Sequence, residues 1–209
     1  MEETRSKEDV LKQFREETLT DAARKIIASE GFLGVTIERV AELAGVSKGT
    51  IYLYFKNKDD LIRATILNTF STVMDQVRET TERETTFHGK MRALVTTQLN
   101  LFASNQAFFR ALLSDTRHGP KPQCGEQDDV VAKHLEFARY ISGLIEYGRD
   151  TGAVRPAVDP QETAFFVIHL LQSTGMRHLI GLTSTQLGNA AEIDRILDFI
   201  ANGVGTHGD

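Results

Sequence analysis

The window VSKGTIYLYFKNKDDL, residues 46–61, is out of character with the chain that contains it. The 209 residues carry a formal net charge of −5, yet no carboxylate falls between Glu42 and Asp59, where Lys48, Lys56 and Lys58 all lie. Tyr52, Tyr54 and Phe55 stand among these lysines. A short, basic, aromatic surface suits a polyanion. Positive charge is needed only where phosphates arrive, so an acidic total does not exclude a nucleic acid. The signal is local, because the first 60 residues hold ten basic and twelve acidic side chains.

The flanking sequence predicts how this window is folded. Thr36 caps a short helix that offers Ile37, Val40, Ala41 and Leu43 to a core and turns Arg39 and Glu42 outward. Gly45 breaks it. Ser47 caps a second short helix, residues 48–55, with Val46, Ile51 and Phe55 turned inward. Lys48, Thr50, Tyr52 and Tyr54 are left largely outside, and Lys56 reads as a solvated side chain. Two short helices joined by a tight glycine turn form a helix-turn-helix, whose second helix enters the major groove by its N-terminal end. Lys48 and Thr50 sit at that end, next to a helix N-terminus that itself favours phosphate. Gly49 removes a side chain where the backbone approaches DNA. Lys58 opens the next helix, on the same phosphate track. Two plainer roles compete: Thr36 as a cap alone, and Tyr52 as packing on the first helix.

Residues 31–62, GFLGVTIERVAELAGVSKGTIYLYFKNKDDLI, resemble the DNA-binding head of the TetR family of bacterial transcriptional regulators, and the likeness runs from about residue 19 to 64. The resemblance implies that Thr36, Lys48, Gly49, Thr50, Tyr52, Tyr54 and Lys58 face DNA, mostly its phosphates. It also implies a helical body that holds a small effector and pairs two chains. Beyond the head it rests on helix count and on residues 148–164, GRDTGAVRPAVDPQETA, a loop-to-helix passage similar to the family's.

The remainder reads as helix. Four prolines and no sustained strand alternation predict an all-α chain of about nine helices, with a helix-turn-helix head over residues 1–58 and a helical body over 59–209. The first helix covers residues 8–30. Asn57 caps a long fourth helix, and further helices cover 88–104, 106–116, 128–151, 160–180 and 190–203. The motif Asp-Pro-Gln-Glu at 159–162 is a helix start. Residues 117–127 read as a loop. A lone cysteine, Cys124, permits no internal disulfide. The polar N-terminus and the short apolar runs fit a soluble, cytoplasmic protein.

In the body, polar residues on apolar faces and nearby aromatics are the candidate effector contacts: Phe70, Met74, Gln98, Phe102, Phe109, His134, Phe137, Tyr140, His169 and Gln172. Such a mixture suits a lipophilic ligand fixed by a few hydrogen bonds, although a lone buried His or Gln is more often a satisfied core residue. Arg110, Arg139 and Arg177 for an anion, or Glu136 and Glu146 for a cation, are further options; solvent-facing is the plainer reading of all five. The helix from Pro160 is apolar on several faces, so a partner chain is expected to cover Phe165, Ile168 and Gly175 together with the stripe Ile193, Ile196, Leu197 and Ile200.

The six histidines show no metal-ligand spacing, and no P-loop, dinucleotide fingerprint or nucleophile elbow occurs. No cofactor, metal or catalytic residue is expected. The sequence thus points to a homodimeric DNA-binding regulator, most simply a repressor released from a palindromic operator by a small lipophilic effector. Two readings compete. A small-molecule-binding protein or enzyme with a vestigial head predicts no DNA affinity. A ligand-independent DNA-organising protein predicts a filled core.

Overall fold

The computed structural model describes residues 7–114 and 129–204. Among the described residues every regular element is helical: α1 (Lys7–Glu30), α2 (Ile37–Ala44), α3 (Lys48–Tyr52), α4 (Lys58–Glu82), α5 (Phe87–Ser104), α6 (Gln106–Ser114), α7 (Asp129–Asp150), α8 (Pro160–Leu179) and α9 (Ala190–Val204), with a 3₁₀ turn at Phe32–Gly34. The expected all-α class and helix order are as observed. The loop at 117–127, with Cys124, lies outside the described residues.

Two compact groups form. Residues 7–70 and 107–114 make the first; residues 71–106 and 129–204 make the second. Of the head expected over 1–58, the described residues 7–58 lie in the first group, which continues past that point along α4 to residue 70 and takes in most of α6.

In the first group, the inward stripe of α1 is Leu19, Ala22, Ala23, Ile26 and Ile27, all buried. Phe32, Val35, Ile37, Val40, Ile51, Phe55, Leu61 and Ile62 complete the core. Each short helix is fixed by side-chain caps. Thr36 Oγ1 accepts the Arg39 N–H at 3.2 Å, Ser47 Oγ accepts the Thr50 N–H at 3.1 Å, and Asn57 Oδ1 accepts the Asp60 N–H at 2.9 Å. Asp60 reaches back to the Lys56 N–H at 2.9 Å, which locks the chain into α4. Gly45 ends α2 at φ +67°, a left-handed conformation that favours glycine, and the Val46 N–H returns to the Ala41 carbonyl at 2.9 Å.

Two expectations change here. Leu43 falls off the Ile37/Val40/Ala41 stripe and is exposed. The second short helix ends at Tyr52 instead of residue 55, because the Tyr54 and Phe55 N–H groups share the Ile51 carbonyl. That tightened turn still delivers Phe55 to the core.

In the second group, Met74 and Val77 of α4 pack with Met91, Leu94, Val95 and Leu99 of α5, the inner faces of α7 and α8, and Ile193, Ile196, Leu197 and Ile200 of α9. Two glycines allow close approach. A methyl group on Gly148 would come within 2.6 Å of Val154 and 2.7 Å of Phe87; one on Gly175 would come within 2.7 Å of the Phe102 ring. Asp159 Oδ1 accepts the Glu162 N–H at 2.7 Å with Pro160 in the first turn, as the 159–162 motif predicts.

The interface stripe proposed from sequence is therefore reassigned. Ile168, Gly175, Ile193, Ile196, Leu197 and Ile200 are buried in the chain's own core, and Phe165 is packed against it. The α9 stripe already has partners on α5, so it needs no second chain to cover it. The apolar side chains left uncovered on and between α8 and α9 are Phe166, Met176, Ile180, Leu182 and Phe199.

Candidate nucleic-acid interface and effector site

Lys48, Gly49 and Tyr52 are exposed on α3, Thr36, Thr50, Tyr54 and Lys58 are half-buried, and all seven belong to the first group. Ser47 Oγ lies 2.9 Å from Thr50 Oγ1, so the residue expected only as a cap also holds a candidate contact in place. The acid-free window is not acid-free in space. Glu38, in the first turn of α2, places Oε1 2.7 Å from Lys48 Nζ. The Lys48 ammonium, and more weakly the Thr36 hydroxyl, hold the Glu38 carboxyl below its ordinary range. Arg39 is likewise taken by Glu30, and it also reaches the Gly34 carbonyl at 3.3 Å. Among the described residues, Lys56 and Lys58 form no ion pair.

Gly49 is informative because the fold does not require it. It lies in helical backbone, and a Cβ there would meet only Ser47 Oγ, at an ordinary 3.6 Å. Gly49→Ala is expected to leave thermal stability equal or raised by up to about 1 kcal/mol, from helix propensity. The same variant is expected to weaken DNA binding, since the added methyl stands on the exposed surface of α3. Paired melting and DNA-binding curves check this.

The candidate effector residues divide between the groups. Phe70 and Phe109 belong to the first, with ring centroids 6.2 Å apart. In the second, Met74 and Phe137 are core, and Phe102 is half-buried against Gly175. Tyr140 donates or accepts a hydrogen bond with Thr81, and the Arg78 guanidinium sits 5.3 Å from its ring centre. His169 and Gln172 are exposed, so they do not line an interior site of this chain. Gln98 is different. Its Oε1 is shielded from solvent and meets no donor. Arg78, which sequence reasoning passed over, has a shielded Nε without an acceptor, while its Nη2 pairs with Glu136 at 2.9 Å. Arg78 stands four residues after Met74, so the rule that selected Gln98 (a polar residue on an apolar face) was able to find it. Glu136 is half-buried and bridges Arg78 and Lys133 at the surface. Arg177 contacts Glu192, whereas Arg110, Arg139 and Glu146 are exposed. An open groove of about 600 Å³ between α7 and α8, lined by Leu135, Arg139, Ser142, Glu146 and Phe165 among others, contains none of the ten expected effector residues.

His134 lies over Phe165, with ring centroids 6.4 Å apart, and 6.3 Å from His169. Burial, and next the neighbouring His169, push its imidazole below the ordinary 6.5. The folded state thus binds fewer protons at this site than the unfolded chain. Stability is full above pH 6.5 and falls as pH drops through the lowered value. His134→Leu is expected to flatten the loss of stability between pH 7.5 and 5.5, read from urea midpoints at each pH. An unchanged pH dependence contradicts the assignment.

A capped helix-turn-helix with an exposed basic and aromatic second helix, on a chain with a separate helical group, defines a helix-turn-helix transcriptional regulator. Residues 19–65 match the family model for bacterial regulatory proteins of the tetR family. The chain is 28% identical over 156 residues, 75% of its length and 80% of the relative's, to an uncharacterized HTH-type transcriptional regulator, YhgD, of Bacillus subtilis. It is 23% identical over 141 residues, 68% of its length and 71% of the relative's, to the fatty acid metabolism regulator protein of Bacillus subtilis. Its fold is similar, with a TM-score of 0.74 at 19% identity over 91% of this chain and 99% of the other, to the transcriptional regulator FadR from Bacillus subtilis in complex with stearoyl-CoA. The head, residues 19–65, thus carries the DNA-binding domain of the TetR family of bacterial regulatory proteins. Among the described residues no helix is long and apolar enough to cross a membrane.

Proposed function

We propose that the chain is a cytoplasmic repressor that binds a palindromic operator as a homodimer and is released by a lipophilic effector carrying a hydrogen-bond donor. Thr36, Lys48, Gly49, Thr50, Tyr52, Tyr54 and Lys58 carry the DNA contacts. Phe166, Met176, Ile180 and Phe199, uncovered on and beside α8 and α9, are the surface that a second chain covers. Two heads then meet half-sites about one helical turn apart. Release is a population shift: the effector favours a form of the body that binds DNA poorly, and α4, which runs from one compact group into the other, carries the change.

The observation that supports an effector of this kind is the orphaned Oε1 of Gln98. A buried acceptor without a donor costs about 1–3 kcal/mol, and a ligand N–H or O–H recovers it. Met74, Phe102 and Phe137 supply apolar surface in the same group, and Arg78 offers an open N–H to a ligand oxygen. Fatty acyl-CoA thioesters combine a long apolar chain with pantetheine amides that each offer an N–H and a carbonyl oxygen, and one structural relative holds stearoyl-CoA. The test titrates stearoyl-CoA and stearic acid against wild-type protein and Gln98→Leu, reading both melting temperature and release from DNA. Gln98→Leu is expected to melt at the same or a higher temperature and to respond about 10-fold more weakly. An unchanged response in Gln98→Leu, or no response to either probe in the wild type, removes this effector class.

A further inference from the structure

We infer that Glu38 sets operator affinity by competing with DNA phosphate for Lys48. The inference rests on the DNA-facing reading of Lys48 and concerns a residue that reading does not include. The chain keeps acids out of residues 43–58, yet the fold returns one to the centre of the window, with Glu38 Oε1 2.7 Å from Lys48 Nζ. Both side chains are more than half exposed, at 59% and 57%. A pair this open to water contributes little to holding α2 against α3, and caps and core already do that. Its consequence lies outside the fold, on the surface where the phosphates come.

A phosphate approaching Lys48 finds its ammonium occupied. Either the carboxylate is displaced and its charge is left facing the DNA backbone, or Lys48 stays with Glu38 and adds nothing. Both outcomes weaken binding. A tethered carboxylate also differs from a condensed counter-ion, because it is not released to bulk solvent and contributes no release entropy. Lys56 and Lys58 have no such internal partner among the described residues. The effect is to hold operator affinity down to a level that an effector of finite preference can reverse, since release requires the effector's differential affinity to exceed the advantage of the bound form.

The experiment measures binding of full-length protein to the DNA it selects from a random pool, by fluorescence anisotropy across a salt series, for wild type, Glu38→Gln, Lys48→Ala and the double variant. Glu38→Gln is expected to tighten binding roughly 3–10-fold at low salt and to steepen the plot of log affinity against log salt by up to about 0.9, one more counter-ion released. In the Lys48→Ala background the same change is expected to have less than half its logarithmic effect. Melting curves of Glu38→Gln and wild type are expected to coincide. If Glu38→Gln binds no more tightly, or gains equally without Lys48, competition for Lys48 is wrong. Weak binding by Lys48→Ala with an unchanged Glu38→Gln refutes this inference alone. Unchanged binding by Lys48→Ala, or no selected DNA at all, refutes the reading of Lys48 and the inference with it.

Discussion

Replacing Lys48 and Tyr52 together by alanine is expected to lower DNA affinity on the order of 100-fold while leaving the unfolding midpoint near that of wild type. The two outcomes separate because both side chains point away from the core that holds the head. Tyr52 is 56% exposed and Lys48 57%. The helix beneath them is anchored by Ile51, fully buried, and by the Ser47 cap. Lys48→Ala alone is expected to weaken binding across all sequences, because a lysine on phosphate is a point charge, and to lower the salt dependence by less than one counter-ion, because Glu38 already takes up part of that charge. Tyr52→Ala removes a hydroxyl and a flat face and is expected to alter sequence preference more than salt slope. Anisotropy titrations at several salt concentrations, with melting curves on the same samples, check the pair. A large drop in melting temperature would instead mark Tyr52 as packing on the first helix.

The largest expected effect on stability lies at the junction of α8 and α9. Glu192 is 4% exposed and His178 8% exposed. Glu192 Oε1 is 3.1 Å from His178 Nε2 and 3.7 Å from Arg177 Nη2, and Oε2 accepts the Gly188 N–H at 3.0 Å. Asn189 Oδ1 in turn accepts the Glu192 N–H at 3.0 Å and starts α9. One carboxylate thus fixes the end of one helix, the turn at Gly188 and the beginning of the next. Glu192→Ala leaves the buried His178 ring nitrogen and the half-buried Gly188 N–H without this partner, and is expected to cost about 3–5 kcal/mol in urea unfolding. Glu192→Gln keeps the shape and an acceptor and is expected to lose less than half as much. Equal losses in the two variants would mean that the carboxylate's charge, and not its shape, is what matters at this site.

The head was legible in the sequence because its determinants are local. Thr36, Gly45, Ser47 and Asn57 each act on backbone groups within four residues, so their spacing alone predicts helix starts and stops. What spacing does not carry is a contact between side chains far apart in sequence. The Glu38–Lys48 and Glu30–Arg39 pairs each bridge nine or ten positions and show no pattern in the chain. The same limit governed the body. The α9 stripe was recognised as an apolar face, but periodicity says that a face is buried, not against what; its own α5 covers it. Phe166 and Phe199, in contrast, stand off those stripes and remain uncovered. His169 and Gln172 look like interruptions of an apolar helix, yet α8 turns them to solvent. Gln98 and Arg78 each carry one shielded hydrogen-bonding atom without a partner, and periodicity does not reveal which polar atoms are left unmet.

Selection of bound sequences from a random double-stranded DNA pool, with full-length wild-type protein and the Lys48→Ala/Tyr52→Ala variant in parallel, tests the central claim most directly. The expected result is a palindrome with half-sites about one helical turn apart, recovered by the wild type and lost in the variant. Recovery of no common sequence, with weak binding that falls steeply with salt and is equal in both proteins, would contradict it.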